Sequence, residues 1–168
     1  MFHKNTRFTK CTADFKNNNF IYIGKTRYDI YKLNIKAPQC QFGTIFIDDN
    51  FSCWSSTLRP SFKSGIYIGK DCQFSYEITI WTSDGHAILD EKGKCLNPDK
   101  DTVIGDHVWL GHAVEVLKGS EIPSGCVVGA RSLVTKSFEE PNSVFAGSPA
   151  RLVKSNIRWE RMSPHHFY

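Results

Sequence analysis

The 168-residue sequence lacks three features that would narrow its class at once. Its six cysteines contain no Cys-x-x-Cys pair, it has no run of eighteen apolar residues, and its lysines and arginines form no continuous basic stripe. The first absence favours reduced cysteines over a disulfide framework. The second predicts no membrane span. The third, with a net charge of only +4, leaves nucleic acid, anionic lipid and a small phosphorylated ligand all open, so charge alone decides little.

The N-terminus also lacks a leader pattern. The sequence MFHKNTRFTK carries charge, but no apolar stretch of signal-peptide length follows it. We therefore expect a soluble, cytoplasmic protein, and its length predicts one compact core.

Aliphatic residues recur at strict intervals of six in the second half of the chain. The series comprises Ile104, Leu110, Val116, Ile122, Val128 and Val134, and Ile68, Phe74 and Ile80 keep the same spacing upstream. Six residues are too few for a helical hairpin or an ankyrin-type repeat, so the period predicts an all-β fold, a parallel β-helix. The alternative is an ordinary β-sandwich with fortuitous spacing.

The positions around these aliphatic residues support the same fold. Glycines follow directly at Gly105, Gly111 and Gly129, where a tightly wound backbone favours a residue without Cβ. Smaller residues stand four positions after an aliphatic one, and Cys72 and Cys126 occupy two of these inward positions. Three short strands per coil predict a triangular prism with eighteen residues in each coil.

The rest of the chain divides around this repeat. Strand-like segments at Phe20–Lys25 and Thr44–Phe51 predict early, distorted coils. The rhythm breaks over residues 83–101, which are polar and turn-rich and predict a projecting loop. We assign residues 1–147 to the β-helix domain and residues 148–168 to a C-terminal cap and tail. In that tail, Ser148, Pro149 and the spacing of the apolar residues through Trp159 predict a short helix over the open end.

These motifs carry a family resemblance. The hexads, the loop TSDGHAILD, the segment VWLG (Val108–Gly111), the tail VFAGSPARLVK and the ending NIRWER together resemble hexapeptide-repeat acyltransferases. Within that superfamily they are most similar to bacterial O-acetyltransferases of capsular polysaccharide and polysialic acid. The resemblance implies a left-handed β-helix, a homotrimer, acetyl-CoA as acyl donor, no metal, and a carbohydrate acceptor.

Transfer of an acetyl group to a sugar hydroxyl needs a base to take the hydroxyl proton. Histidine suits this at neutral pH, and His86 in the loop, near the carboxylates of Asp84 and Asp90, is the candidate. The resemblance implies the same role for the loop histidine. The alternative is a solvated loop histidine with no catalytic role.

Trp109 precedes the inward Leu110, so strand alternation turns its indole outward. The resemblance implies that this tryptophan lies in the active site, where its ring could stack on a sugar and its N–H could stabilise an oxyanion. Packing against another subunit is the alternative.

The resemblance further implies a groove for acetyl-CoA between subunits. It assigns pantetheine contacts near Gly111 and Ala130, phosphate contacts to Lys136 and Arg151, and adenine packing to Pro149. A solvated lysine and an ordinary turn explain the last three residues equally well.

Other functions remain open from the sequence. His107 and His112, with His86, supply three imidazoles for a zinc enzyme like the γ-type carbonic anhydrases, but His107 lies two positions after Gly105, which disfavours that register. A sugar N-acetyltransferase, a serine O-acetyltransferase and a non-catalytic binding β-helix are further alternatives.

Overall fold

The computed structural model describes residues 7–16, 18–37 and 40–168. The expectation that the N-terminus carries no leader concerns residues 1–6 as well, and these lie outside the described residues. The strands in chain order are β1 Arg7–Thr9, β2 Thr12–Phe15, β3 Phe20–Ile23, β4 Asp29–Tyr31, β5 Leu33–Ala37, β6 Thr44–Ile47, β7 Ser52–Cys53, β8 Ser56–Arg59, β9 Gly65–Ile68, β10 Gln73–Phe74, β11 Ile78–Trp81, β12 Thr102–Ile104, β13 Trp109–Leu110, β14 Glu115–Val116, β15 Glu121–Ile122, β16 Val127–Val128, β17 Leu133–Val134, β18 Val144–Gly147 and β19 Ala150–Lys154. A 3-10 helix covers Pro164–Phe167.

The strands form three sheets that make the sides of a parallel β-solenoid. The first sheet has the order β1-β4-β7-β10-β13-β16-β18-β19, the second β17-β14-β11-β8-β5-β2, and the third β15-β12-β9-β6-β3. Each sheet takes one strand from each coil, so the chain visits the sheets in turn and every coil stacks on the one before. The predicted fold class is confirmed.

The coil length changes along the solenoid. Trp109 pairs with Val127 in the first sheet, eighteen positions later. In the early coils, Phe20 pairs with Thr44, twenty-four positions later. The predicted eighteen-residue coil therefore holds for the C-terminal turns, and the early coils are longer and less regular, as their sequence indicated.

The hexad residues fill the inside of the prism. All nine aliphatic and aromatic positions of the predicted series are at most 1% exposed. Cys72 and Cys126 are fully buried among them, and every cysteine of the described residues is free. A Cβ added to Gly105 would lie 2.7 Å from the amide nitrogen of Ser124 in the next coil, which explains why the repeat keeps a residue without a side chain there.

The predicted loop is present between β11 and β12. It is mostly exposed over residues 83–101 and includes one antiparallel bridge, between Leu89 and Cys95. Thr79 and Glu115, on either side of it, still pair in the second sheet. The insertion therefore leaves the solenoid register intact and projects from one corner.

The predicted C-terminal helix from Ser148 is wrong. Residues 150–154 instead form β19, which pairs antiparallel with β18 across a turn containing the cis Ser148–Pro149 peptide. Pairing satisfies the free backbone edge of β18. Of the apolar side chains that suggested a helix, Leu152 and Val153 remain 45% and 66% exposed, whereas Trp159 is buried, at 7%. The helix predicted over residues 148–159 is thus replaced by a hairpin that crosses the expected boundary between residues 147 and 148. No helix in the described residues is long and apolar enough to cross a membrane.

Candidate active site

The loop that carries His86 is fixed at its base by Asp84 and Asn97. The Asp84 carboxylate forms an ion pair of 2.6 Å with Lys118 of the solenoid wall and accepts a hydrogen bond of 2.8 Å from the Asn97 amide. The same amide donates to the backbone oxygen of His86 at 2.9 Å, and the Asn97 side-chain oxygen accepts from the Ile88 amide at 2.6 Å. The two halves of the loop are therefore held together beside the histidine.

The His86 imidazole itself is exposed and makes no hydrogen bond or ion pair within the described residues. Neither carboxylate considered as its partner contacts it. Hydrogen bonds from Lys118 and Asn97 lower the pKa of Asp84, and Asp90 accepts the backbone amides of Lys92 and Lys94 at 2.9 Å each. Both carboxylates therefore shape the loop, and the imidazole is left open to a substrate or another subunit.

Trp109 lies outward on β13, with 37% of its surface exposed. It borders a cavity of about 420 Å³ whose other walls come from the C-terminal tail, including Trp159, Met162 and Phe167. The rings of Trp109 and Trp159 are 5.9 Å apart and tilted by 43°. The predicted outward orientation is confirmed, and the tail supplies most of the surface around this indole.

Two tail residues that the sequence analysis missed bind this segment to the solenoid. Trp159 is 7% exposed and donates its indole N–H to the His107 backbone oxygen at 2.8 Å. Arg161 donates to the Asp71 carboxylate at 3.2 Å, to the Ser52 hydroxyl at 2.7 Å and to three backbone oxygens of neighbouring coils. The alternation of arginine and tryptophan in NIRWER is the only local signal of this role.

The residues assigned to the acyl donor fall in two groups. Gly111 and Ala130 lie in contact in successive coils, since a Cβ on Gly111 would be 2.8 Å from the Ala130 amide nitrogen. Lys136 and Arg151 line a separate cavity of about 370 Å³ toward the C-terminal end of the solenoid. Pro149 is exposed in the turn between β18 and β19.

The two candidate catalytic side chains lie on different elements of one chain. No hydrogen bond, ion pair or ring contact joins His86 to Trp109 in the described part of the molecule. His86 projects from the connection that follows the second sheet, whereas Trp109 is on the first.

The donor geometry gives the zinc alternative no support. His107 Nδ1 is 2.7 Å from the Asp71 carboxylate, and its Nε2 is 3.1 Å from the Trp159 backbone oxygen. His112 instead lies 3.3 Å from Glu77. Among the described residues, no three metal-binding side chains converge.

Comparison with known proteins identifies relatives over most of the chain. The polysialic acid O-acetyltransferase of Neisseria meningitidis is 49% identical over 171 aligned positions, which cover 89% of this chain and 79% of that protein. The polysialic acid O-acetyltransferase of Escherichia coli O1:K1 / APEC is 39% identical over 100 positions, and the match spans only 32% of its length. The crystal structure of the polysialic acid O-acetyltransferase OatWY matches with a TM-score of 0.69 and 29% identity, over 98% of this chain and 93% of that one. No family model matches the sequence.

A parallel β-solenoid built on six-residue repeats is consistent with the hexapeptide-repeat acyltransferases. The identity and coverage shared with the Neisseria meningitidis protein show that this chain belongs to its family, the bacterial O-acetyltransferases, and is an enzyme of that kind. The predicted resemblance and enzyme class are thereby confirmed.

Proposed function

We propose that this protein transfers the acetyl group of acetyl-CoA to a hydroxyl of a bacterial capsular or lipopolysaccharide sugar, with His86 as general base. One observation carries this proposal. This chain, a homologue of O-acetyltransferases, has a projecting loop whose His86 imidazole has no bonding partner among the described residues. The names of the relatives indicate a sialic acid polymer as the first acceptor to test. We place this chemistry in the cytoplasm, where acetyl-CoA is made.

In the proposed reaction, the His86 imidazole accepts the proton of the sugar hydroxyl while the hydroxyl oxygen attacks the thioester carbonyl carbon. The resulting C–O bond forms as the C–S bond breaks, and the departing sulfur takes the proton from the imidazolium. The products are the sugar acetate and free CoA. Trp109 offers its ring to the sugar and its indole N–H to the oxygen that becomes negative during attack.

Lys136 and Arg151 suit the nucleotide phosphates of the donor because both exposed cations line one cavity. Glu139 and Glu140 share that lining, so the cavity is not uniformly positive. Replacement of Lys136 or Arg151 by alanine should therefore raise the KM for acetyl-CoA and leave the KM for the sugar unchanged. Gly111 and Ala130 would present backbone amides to the pantetheine arm, and Pro149 would contact the adenine.

We further propose a homotrimer in which one subunit supplies His86 and its neighbour supplies Trp109. The placement of the two side chains on different elements of one chain, with no direct contact between them among the described residues, supports this arrangement. It can be tested by mixing His86→Ala and Trp109→Ala subunits after denaturation and refolding. Random assembly into a ring of three should restore about a quarter of the wild-type rate, because one interface in four then pairs two intact side chains. Mixed assemblies without activity would contradict a shared site.

The central experiment measures free CoA thiol released from acetyl-CoA in the presence of sialic acid polymers, other capsular glycans and lipopolysaccharide sugars. His86→Ala should lower the glycan-dependent rate by about 10²- to 10⁴-fold. The control is His166→Ala, which removes an exposed histidine of the C-terminal 3-10 helix. Equal rates for wild type and His86→Ala would refute the proposed base.

The chemical class of the product separates O-acetylation from the alternative N-acetylation. Hydroxylamine cleaves acetate esters and leaves acetamides intact. Loss of the acetyl group from the product under hydroxylamine supports transfer to oxygen, and a resistant product supports a sugar N-acetyltransferase.

A further inference from the structure

Three aromatic rings from successive coils form an exposed ladder on the N-terminal half of the solenoid. The Tyr31 and Trp54 rings are 6.2 Å apart and meet edge to face, at 62°, and the Trp54 and Tyr76 rings are 5.6 Å apart and nearly parallel, at 20°. Trp54 is 55% exposed and Tyr76 is 49% exposed. We call these three residues the aromatic ladder.

The solenoid geometry explains why the rings align. Tyr31 ends β4, Trp54 directly follows β7 and Tyr76 lies two positions after β10, and these strands are neighbours in the first sheet. Adjacent strands are about 4.8 Å apart, so side chains that leave successive coils at one corner stand one above another. The fold therefore places the three rings side by side. Because Trp54 and Tyr76 are about half exposed, they contribute little to the hydrophobic core.

Two lysines lie beside the first ring of the ladder. The ammonium groups of Lys10 and Lys32 lie 5.7 Å and 5.4 Å from the centre of the Tyr31 ring. Residues 1–70 contain eleven lysines and arginines against four acidic residues, whereas residues 71–168 contain ten against thirteen. The first seventy residues of the sequence therefore carry the whole positive excess of the chain.

The ladder leads toward the candidate active site. Its last ring, Tyr76, belongs to the coil of β10, and Gln73 of that strand pairs directly with Trp109 of β13. A cavity of about 300 Å³ lies beside the ladder. Tyr28, Tyr31 and Trp54 line it, together with one cation, Arg161, and one carboxylate, Asp29. A polymer that follows the ladder along the solenoid axis would thus reach the coil that carries the Trp109 indole.

We propose that the aromatic ladder with Lys10 and Lys32 is a binding surface for an acidic polysaccharide chain, which holds the acceptor polymer while one of its sugars is acetylated. This inference rests on the proposed function. Sugar rings stack on exposed aromatic faces, and ammonium groups attract sugar carboxylates. The combination of both features on one face favours an acidic glycan over a neutral one.

The test measures binding separately from chemistry. Binding of long sialic acid polymers, sialic acid dimers and neutral dextran to the His86→Ala protein is measured by calorimetry without acetyl-CoA. The ladder predicts that the long acidic polymer binds more tightly than the dimer, and that dextran binds weakly. Trp54→Ala should weaken polymer binding about tenfold, which corresponds to the loss of one good ring contact.

Phe62→Ala is the matched control, because Phe62 is also an exposed aromatic residue, at 51%, with the Lys63 ammonium 5.1 Å from its ring centre, but it lies outside the ladder. Equal affinities of the Trp54→Ala and Phe62→Ala proteins for the polymer would overturn the proposal. In the active protein, Trp54→Ala should raise the KM for the long polymer and leave its kcat unchanged. The protein could prove inactive on every glycan and still bind the polymer in a way that depends on Trp54. That result would contradict the proposed function but support the proposed binding surface.

A contact between copies of this chain is the other use of such a face, and light scattering of each variant detects it. If Trp54→Ala changes the oligomeric state, its effect on polymer binding cannot be interpreted alone. Lys32→Gln keeps all three rings and removes one positive charge, so it tests polymer binding without that change. Weaker polymer binding by Lys32→Gln in an unchanged assembly supports the acidic-glycan surface. Unchanged binding by Lys32→Gln overturns it.

Discussion

The imidazole of His107 stacks on the indole of Trp159, with ring centres 4.1 Å apart and planes 11° from parallel. Two hydrogen bonds between the same residues, from the indole N–H to the His107 backbone oxygen and between the imidazole and the Trp159 backbone oxygen, reinforce the contact. These contacts join Trp159 of the tail to His107, a solenoid residue fifty-two positions earlier in the sequence. They hold the tail against the surface that carries Trp109.

We predict that Trp159→Ala releases the tail without unfolding the solenoid. Loss of a buried tryptophan costs about 3–5 kcal/mol when the site cannot refill, and the tail can avoid this cost by detaching. Limited proteolysis should then cut within residues 156–168, while thermal unfolding of the rest changes little. Met162→Ala, at an exposed position of the same segment, is the control. A tail that stays resistant in Trp159→Ala would contradict the anchor.

The repeat could be predicted from the sequence because its signal is local. Each hexad residue, such as Leu110 or Val128, occupies the same position in its own coil, so six-residue spacing reports inward orientation directly. The same holds for Gly111, whose missing side chain reports contact with the next coil. No knowledge of distant contacts is needed for either conclusion.

The tail could not be predicted for the opposite reason. Arg161 bonds Asp71, ninety positions away, and no period in the sequence connects them. The segment from Pro149 has apolar residues at helical spacing, but an available strand edge at β18 supplied backbone partners that the pattern could not reveal. The partner of Asp84 was missed similarly, because Lys118 lies on the wall and not in the loop.

Lys118 should position His86 without touching it. Its ammonium binds the Asp84 carboxylate and the backbone oxygens of Asn97 and Pro98 at 2.7 and 3.1 Å, so Lys118→Met should loosen the loop. Misplacement of a catalytic group by about 1 Å can cost up to about 10²-fold in rate. We expect a lower kcat with unchanged thermal stability, together with faster amide exchange over residues 83–101. Lys92→Met, an exposed lysine of the same loop, should change neither quantity.

The pH dependence of this anchor follows from Asp84. Its pKa is lowered by the hydrogen bonds from Lys118 and Asn97, so the contact is complete above the ordinary value of 3.8 and is lost as pH falls through the lowered pKa. Amide exchange over the loop, corrected for intrinsic rates, should therefore accelerate only in strong acid. A transition near neutral pH would show that another group holds the loop.

Coil spacing predicts different costs for two repeat glycines. A Cβ at Gly105 would meet the Ser124 amide nitrogen at 2.7 Å, whereas at Gly129 the nearest atom is the Ala146 Cβ at 3.0 Å and the next is at 3.7 Å. Gly105→Ala should destabilise by about 1–3 kcal/mol, because the backbones of two coils must separate. Gly129→Ala should destabilise less, because the added Cβ meets only the Ala146 side chain at close range. The lower conformational entropy of the unfolded chain offsets part of that strain. Denaturant unfolding of both variants measures the difference, and equal costs would contradict the spacing argument.

The reactivity of the cysteine thiols should depend on their burial, with exposed thiols reacting faster than buried ones. Burial raises the pKa of the Cys72 thiol, and likewise that of Cys53, from 9.0 to about 12, whereas Cys95 is exposed in the loop. A maleimide at pH 8 should therefore label Cys95 rapidly and the two buried thiols only after unfolding, as measured by mass spectrometry of peptides. The unfolded chain loses these protons near pH 9 and the folded chain does not, so the free energy of unfolding should fall as pH rises from about 9 to about 12. Labelling of native Cys72 at the rate of Cys95 would show that the coils open far more often than their packing indicates.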